Sequence, residues 1–389
     1  MRITEIRELS VRLEGQVANA VVSFAEHDVS LVAVFTDVVR HGRPLVGLSF
    51  NSIGRFAQGG ILRDRMIPRL LSAEPSSLLD ASGERFEPAR VLAVAMRNEK
   101  PGGHGDRAGA AAALELAVWD LNAKLADEPA YATISRAHGR APSADPVDVY
   151  AAGGYYYAPG AGRSLGDELR AYVDLGFSAF KMKIGGAPLA EDMQRIEEAL
   201  AVAGDGSRIS VDANGRFDLA TAVEYGRAME GYRLRWFEEI GDPLDYELNR
   251  HAIEAYGQVV ATGENLFSTV DVRNLVRFGG MRPCRDVFQM DAGLSYGLTE
   301  YVRMIDLLEQ QGFDRRQCYP HGGHLINLHI VVGLGLGGCE AYPGVFQPFG
   351  GYSGRCTVRG STVRPSDAPG FGLEEKVELA PPALQRITG

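Results

Sequence analysis

Cysteine is scarce in this chain. Cys284, Cys318, Cys339 and Cys356 are its only four, and none stands in a Cys-x-x-Cys spacing. That pattern argues for reduced packing residues and against a disulfide framework. Long apolar runs are missing too: no stretch approaches the ~20 residues of a membrane helix. The first fourteen residues carry Glu5, Arg7, Glu8 and Arg12, so they contain no secretory apolar core. A soluble, cytoplasmic protein without a membrane partner is expected. Positive charge is in deficit, with 40 Lys and Arg against 50 Asp and Glu. The net charge of −10, with no dense basic stretch, argues against nucleic acid as a partner. No low-complexity tract or short repeat is present. What remains is an ordinary globular composition, and 389 residues are enough for two domains.

The first part of the chain mixes strands and helices without regular alternation. Residues 2–12 alternate apolar and polar positions, and 30–49 has the pattern of a hairpin turning near His41, Gly42 and Pro44. Helical periods follow over 61–71, 87–95 and 107–126; in the last, Ala113, Leu116, Trp119, Leu121 and Leu125 follow a helical period. Residues 1–140 are therefore expected to form an α+β capping domain. From Val147 the texture changes to strand–helix repeats. Strands are expected over 147–152, 179–184, 208–212, 234–238, 259–263, 286–290, 317–319 and 338–341, with the glycine-rich stretch 322–337 undefined. Strands joined by single helices pair in parallel with right-handed crossovers. The expected fold class is thus α/β, a (β/α)8-type barrel over 141–343, with a Gly/Pro-rich tail of 344–389 returning to the capping domain.

Catalytic groups of such a barrel sit at the C-terminal ends of its strands. Those ends carry Lys181, Lys183, Asp212, Glu238, Glu264, Asp291, His321 and Glu340. Successive members of the trio Asp212, Glu238 and Glu264 are 26 residues apart, one strand–helix unit each. Three converging carboxylates repel unless a cation lies among them, and all-oxygen ligands favour Mg²⁺ or Mn²⁺. The alternative is that each caps the helix after it. Lys181 and Lys183 are two apart and share a strand face. Inside a barrel two such charges are costly without a task, and Lys181 and the metal are expected to depress the pKa of Lys183 toward that of a base.

His321 and Asp291 end neighbouring strands, an arrangement that orients an imidazole; His324 and His329 compete for that role. Glu340 either contacts a substrate carboxylate or is a satisfied acid at the core edge. Asn214 either binds substrate or makes a turn with Gly215. Glu239, beside Glu238, is expected to point away into a salt bridge. A Lys base facing a His–Asp pair suits removal of a proton α to the carboxylate of a small-molecule substrate. The resulting enediolate is either reprotonated, giving racemisation, or expels a β-hydroxyl, giving dehydration.

Several segments carry a resemblance. Phe180-Lys-Met-Lys-Ile184, Val211-Asp-Ala-Asn-Gly215, Trp236-Phe-Glu-Glu239, Gly263-Glu-Asn265, the Asp291 and His321 pair, and the helix with Ala117-Val-Trp-Asp-Leu-Asn-Ala-Lys124 resemble the mandelate racemase subgroup of the enolase superfamily. The resemblance implies Asp212, Glu238 and Glu264 as Mg²⁺ ligands, Lys183 as the base for the C2 proton with Lys181 tuning it, and His321, oriented by Asp291, as the acid for the leaving hydroxyl. It implies a hydro-lyase acting on an acid sugar, with D-tartrate, converted to oxaloacetate and water, as the expected substrate. A racemase or epimerase on the same residues, a dehydratase of a longer aldarate or aldonate, and a non-catalytic barrel are the rivals. In this chain the proline usual after the paired glutamates is delayed to Pro243, which implies a shifted loop with the ligand kept. A short diacid needs a cation for its far carboxylate. Arg55, in loop 51–60, and Lys100, in loop 98–105, are the candidates. Loop 15–28, with Gly15, is expected to close over the site. A homo-oligomer is expected on base rate.

Overall fold

The alternation at the start of the chain builds a three-stranded antiparallel sheet in the order β1 (Ile3–Arg12), β2 (Asp28–Arg40), β3 (Arg43–Phe50). His41 and Gly42, at φ 49° and 76°, make the tight turn between β2 and β3. Two left-handed residues there match the twist of the paired strands. β2 is the central strand: Val29, Leu31 and Ala33 pack into one apolar cluster and Val32 and Val34 into another. The helix Asp106–Leu125 lies against this sheet and is buried over most of its circumference. Its run of alanines permits that closeness; a Cβ placed on Gly47 of β3 would stand 2.1 Å from the Ala117 carbonyl oxygen. The computed structural model describes residues 1–14, 17–156 and 164–389. Gly15, the glycine expected to permit closure of loop 15–28, lies outside the described residues.

The barrel strands follow in order: β4 (Val147–Ala152), β5 (Phe180–Lys183), β6 (Ile209–Asp212), β7 (Trp236–Glu238), β8 (Val260–Thr262) and β9 (Val287–Phe288), each parallel to the one before. Phe288 bridges Cys318, the Cys318 carbonyl accepts from Gly337 N at 3.1 Å, and β10 (Gly338–Ala341) pairs in parallel with β4. The ring therefore closes with eight staves. Six of the staves are shorter than expected, two of them most of all: 286–290 contributes two strand residues and 317–319 a single bridge. The glycine-rich stretch 322–337 contains the helix Leu325–Leu334, whose first turn is capped by the side chain of His324. Tyr150, Ala179, Trp236, Ala261 and Val287 plug the barrel interior, with the Tyr150 and Trp236 rings edge to face at 5.0 Å. The plug leaves the opposite end, where the strands terminate, as the floor of a site.

After the barrel, β11 (Thr357–Arg359) and β12 (Thr362–Arg364) form a small hairpin, with β12 antiparallel to the start of β4. The chain then runs back to the first sheet and its helix. Gly370 bridges Pro129, Phe371 N donates to Asp120 Oδ1 at 2.7 Å, and Arg7 Nη1 donates to the Ile387 carbonyl at 3.0 Å. Among the described residues no helix is long and apolar enough to cross a membrane.

Candidate active site

Strand register turns the 26-residue spacing into alignment. Lys183 on β5 pairs with Asp212 on β6, and Asp212 with Glu238 on β7. Glu264 follows just past the end of β8, and one oxygen from each of Asp212, Glu238 and Glu264 lies within 4.8 Å of the other two. Lys181 Nζ stands 2.6 Å from both Glu238 Oε1 and Glu340 Oε1, and Trp236 Nε1 donates to Glu238 Oε2 at 2.9 Å. Lys183 Nζ stands 2.5 Å from Asp212 Oδ2. Burial lifts the Glu238 carboxyl to about 8, Lys181 offsetting only part of the rise. Burial also pushes Asp212 up, but Lys183 and Lys181 outweigh it and bring Asp212 to about 2.

Lys183 departs from expectation. Burial and Lys181 do lower its pKa, yet contact with Asp212 prevails and holds it above the ordinary lysine value. The trio fits a hard divalent cation: the donors are all oxygen, they converge, and the buried Glu264 Oε2 has no hydrogen-bond partner among the described residues.

The facing wall carries the imidazole. His321 Nδ1 lies 3.3 Å from Asp291 Oδ2, and Nε2 lies 3.0 Å from the Tyr342 hydroxyl. Burial lowers its pKa, but Glu264, Asp291 and Glu340 more than reverse this and raise it to about 9. The two competing histidines have other work. His324 Nε2 bonds Ser52 Oγ at 2.9 Å, and His329 Nδ1 accepts from Tyr131 N at 3.3 Å. Burial holds them near 4 and 3.

Lys183 and His321 line one cavity of about 180 Å³ together with Asn214, Glu239, Glu264 and Arg55. Asn214, at φ 50°, makes the expected turn and also donates its backbone N–H to Asp212 Oδ1 at 2.8 Å. The capping side reaches in through loop 51–60. Ser52 N donates to the Gly293 carbonyl at 3.2 Å, and Gly54, at φ 113°, passes so near that an added Cβ would lie 3.6 Å from His321 Cε1. Asn19, Val21, Val22 and Phe24, from the described part of loop 15–28, also line the cavity.

Lys100 and Glu239 differ from expectation, and Glu340 takes one of its two expected places. Lys100 is exposed and absent from the cavity wall, because loop 98–105 stands away from the mouth and Arg107 holds its carbonyl at 2.7 Å. Glu340 is ion-paired with Lys181 through Oε1 and accepts from the Gly322 amide, 3.0 Å away, through Oε2, which places it as a core-edge acid. Glu239 makes no salt bridge among the described residues. Its backbone adopts φ 40°, which breaks the strand alternation and swings the buried carboxyl into the cavity, where it accepts from Asn265 Nδ2 at 2.7 Å. Burial, then Glu264 and Asp212, push its pKa well above the carboxylate range. Tyr342 was overlooked although it lies two residues after Glu340, the spacing that returns a strand side chain to the same face.

The family model described as "Enolase C-terminal domain-like" matches residues 164–379. The chain is 30% identical over 227 residues to L-talarate/galactarate dehydratase of Salmonella typhimurium, a match covering 57% of this chain and 52% of that protein. It thus spans about half the length of that relative. Arabinonate dehydratase of Saccharolobus solfataricus is 24% identical over 343 residues, 85% of each chain. A racemase from Streptomyces coelicolor A3(2), solved with bound magnesium, superposes over 100% of both chains with a TM-score of 0.76 at 22% identity. That likeness bears on fold alone.

Proposed function

The chain belongs to the enolase superfamily, within its mandelate racemase subgroup, and on that footing we propose that it is a Mg²⁺-dependent hydro-lyase of a short acid sugar, with D-tartrate as substrate and oxaloacetate as product. The observation that carries the reading is one cavity lined by Lys183, His321 and Glu264, the last a member of the converging carboxylate trio. The dehydratase relatives support the reaction class. The volume supports a short substrate: about 180 Å³ is below the ~300 Å³ at which ordinary small-molecule pockets begin.

Asp212, Glu238 and Glu264 would hold the Mg²⁺. An ion bound there would supply stabilisation for negative charge developing on the substrate carboxylate as the α-proton leaves. Lys183 Nζ must first shed the proton that Asp212 helps it hold; neutral, it takes the proton from C2, and Lys181 works in that direction by keeping its neighbour's pKa from rising further. His321 then gives its Nε2 proton to the C3 hydroxyl, the C3–O bond breaks, and water departs. Asp291 on Nδ1 fixes which nitrogen faces the cavity. The enol left behind takes a proton at C3 and becomes the keto acid. Arg55 is positioned to receive the far carboxylate, and Asn214 to hydrogen-bond substrate.

The reading includes the division into a cap of 1–140, a barrel of 141–343 and a returning tail of 344–389, and a cytoplasmic homo-oligomer. A longer aldarate or aldonate is the second reading, favoured by the names of the curated relatives. The test is turnover with Mg²⁺ in D₂O against the three tartrates and a panel of longer aldaric and aldonic acids. Keto acid from D-tartrate alone supports the proposal. Keto acid from a longer acid alone replaces the substrate, and deuterium exchange without keto acid replaces dehydration by racemisation.

A further inference from the structure

The mechanism leaves one buried acid in the cavity without a task. Glu239 sits beside the carboxylate trio, 2% exposed, on a backbone turned to φ 40°. A left-handed conformation is uncommon for a residue with a Cβ and persists where surrounding structure holds it. The delayed proline of Glu239-Ile-Gly-Asp-Pro243 falls in this same loop.

The turned side chain has one hydrogen bond among the described residues. Asn265 Nδ2 donates to Glu239 Oε1 at 2.7 Å, and the other end of that amide, Oδ1, accepts from Arg55 Nη2 at 2.6 Å. The order is forced. With the amide reversed, its NH₂ would face a guanidinium that has only donors. Arg55 thus fixes which end of Asn265 meets the cap, and Glu239, accepting from the other end, braces the amide that holds the guanidinium. Phe267 supports the guanidinium from its face, 5.1 Å from ring centroid to Cζ. Its other donors have no hydrogen-bond partner among the described residues, and Arg55 lines the cavity.

We propose that Glu239 and Asn265 are positioning residues that aim the Arg55 guanidinium at the far carboxylate of a dicarboxylate substrate. The inference rests on the function proposed above and gives it a determinant for the second acid group. A guanidinium presented at a fixed angle binds a carboxylate through two parallel N–H donors, a geometry that a freely rotating side chain holds only part of the time.

Steady-state kinetics on D-tartrate with the Mg²⁺-loaded protein tests this. Arg55→Met and Asn265→Leu raise KM roughly 10- to 100-fold, the range of a charge-assisted hydrogen bond, with kcat within threefold. Glu239→Leu raises KM about tenfold, and Glu239→Gln, which keeps an acceptor oxygen, stays within threefold of wild type. The double variant Glu239→Leu/Arg55→Met is no worse than Arg55→Met alone, because one residue acts through the other. The Mg²⁺ concentration for half-maximal activity is unchanged throughout.

Additive losses, a fall in kcat at constant KM, a shift in Mg²⁺ requirement with Glu239→Leu, or no rescue by glutamine each overturn the inference. If the Glu239→Leu protein does not fold, Asn265→Leu with Arg55→Met completes the same cycle. A wild type that accepts only a longer aldarate moves the cycle to that diacid. One that accepts no dicarboxylate removes the functional proposal and this inference together, whereas additive variants of a tartrate-active protein remove the inference alone.

Discussion

Tyr342 Oη and His321 Nε2 stand 3.0 Å apart in a buried contact, on the side of the imidazole away from Asp291. The nitrogen that faces the cavity is therefore held in place before substrate arrives. Tyr342→Phe is expected to slow keto-acid formation about tenfold, the worth of one hydrogen bond. His321→Asn, which removes the acid itself, is expected to slow it by ~10²–10⁴. Both variants keep exchange of the α-proton with D₂O near the wild-type rate. Equal losses in exchange and elimination would show that one group serves both steps.

Lys183→Ala isolates the other half of the reaction. Loss of a general base is expected to lower kcat by ~10²–10⁴ and to abolish deuterium exchange. Binding of D-tartrate, followed by calorimetry, changes only a few-fold. Residual turnover within tenfold of wild type would remove Lys183 from the mechanism.

Cation binding carries a proton signature. The Glu238 carboxyl, raised to about 8 by burial, is largely protonated at pH 7 in the cation-free protein and must ionise to ligate. Titrating Mg²⁺ into chelator-treated protein at pH 7 is expected to release about one proton, and fewer at pH 9. Calorimetry in buffers of different ionisation enthalpy reads that number directly. Activity returns with the Mg²⁺; turnover without any divalent ion would exclude the site.

Two histidines make the fold sensitive to acid. His324 and His329 are held neutral by burial, with folded values near 4 and 3 against an ordinary 6.5. The unfolded chain binds their protons first, so their stabilisation is complete above pH 6.5 and is lost as pH falls toward 4 and 3. Each contributes about 1.4 kcal/mol per pH unit across its window. His321, raised to about 9, has the opposite sign, losing stabilisation as pH climbs through 9. Urea midpoints at pH 5 and 7.5 test this: His329→Asn should lie closer together than wild type. An unchanged difference would assign the acid sensitivity elsewhere.

The barrel and the residues on its strand ends were legible because they repeat. A spacing of 26 residues is a property of the sequence itself, and β-pairing carries it into register without further information. His321 and Asp291 could be matched as ends of neighbouring staves even though those staves shrink to two residues and one bridge. What escaped depends on single backbone angles or on packing between distant segments. Alternation assigns Glu239 to the outer face, and only φ 40° reverses it. Arg55 and Lys100 look alike in sequence, each a cation in a Gly/Pro-rich loop. Contact with Asn265, 210 positions away, brings one to the cavity, while the other stays at the surface. Lys183 shows the limit for electrostatics. Its like-charged neighbour is visible two residues away, but the stronger effect comes from Asp212 on the next strand.

Phe371 and Asp120, joined by a backbone-to-carboxylate hydrogen bond, are 251 residues apart. In chain order all the barrel strands, β4 to β10, lie between these two residues. During synthesis the sheet and its helix emerge first, yet Asp120 and Pro129 wait for their partners until the last staves have left the ribosome. Contacts of such separation form late and slowly, since the intervening chain must be ordered before they reward closure. The nascent cap would stay incomplete until then, with part of its apolar surface open to chaperones. Destabilising the tail contact should therefore lower the yield of folded protein more than it lowers the stability of the protein once folded.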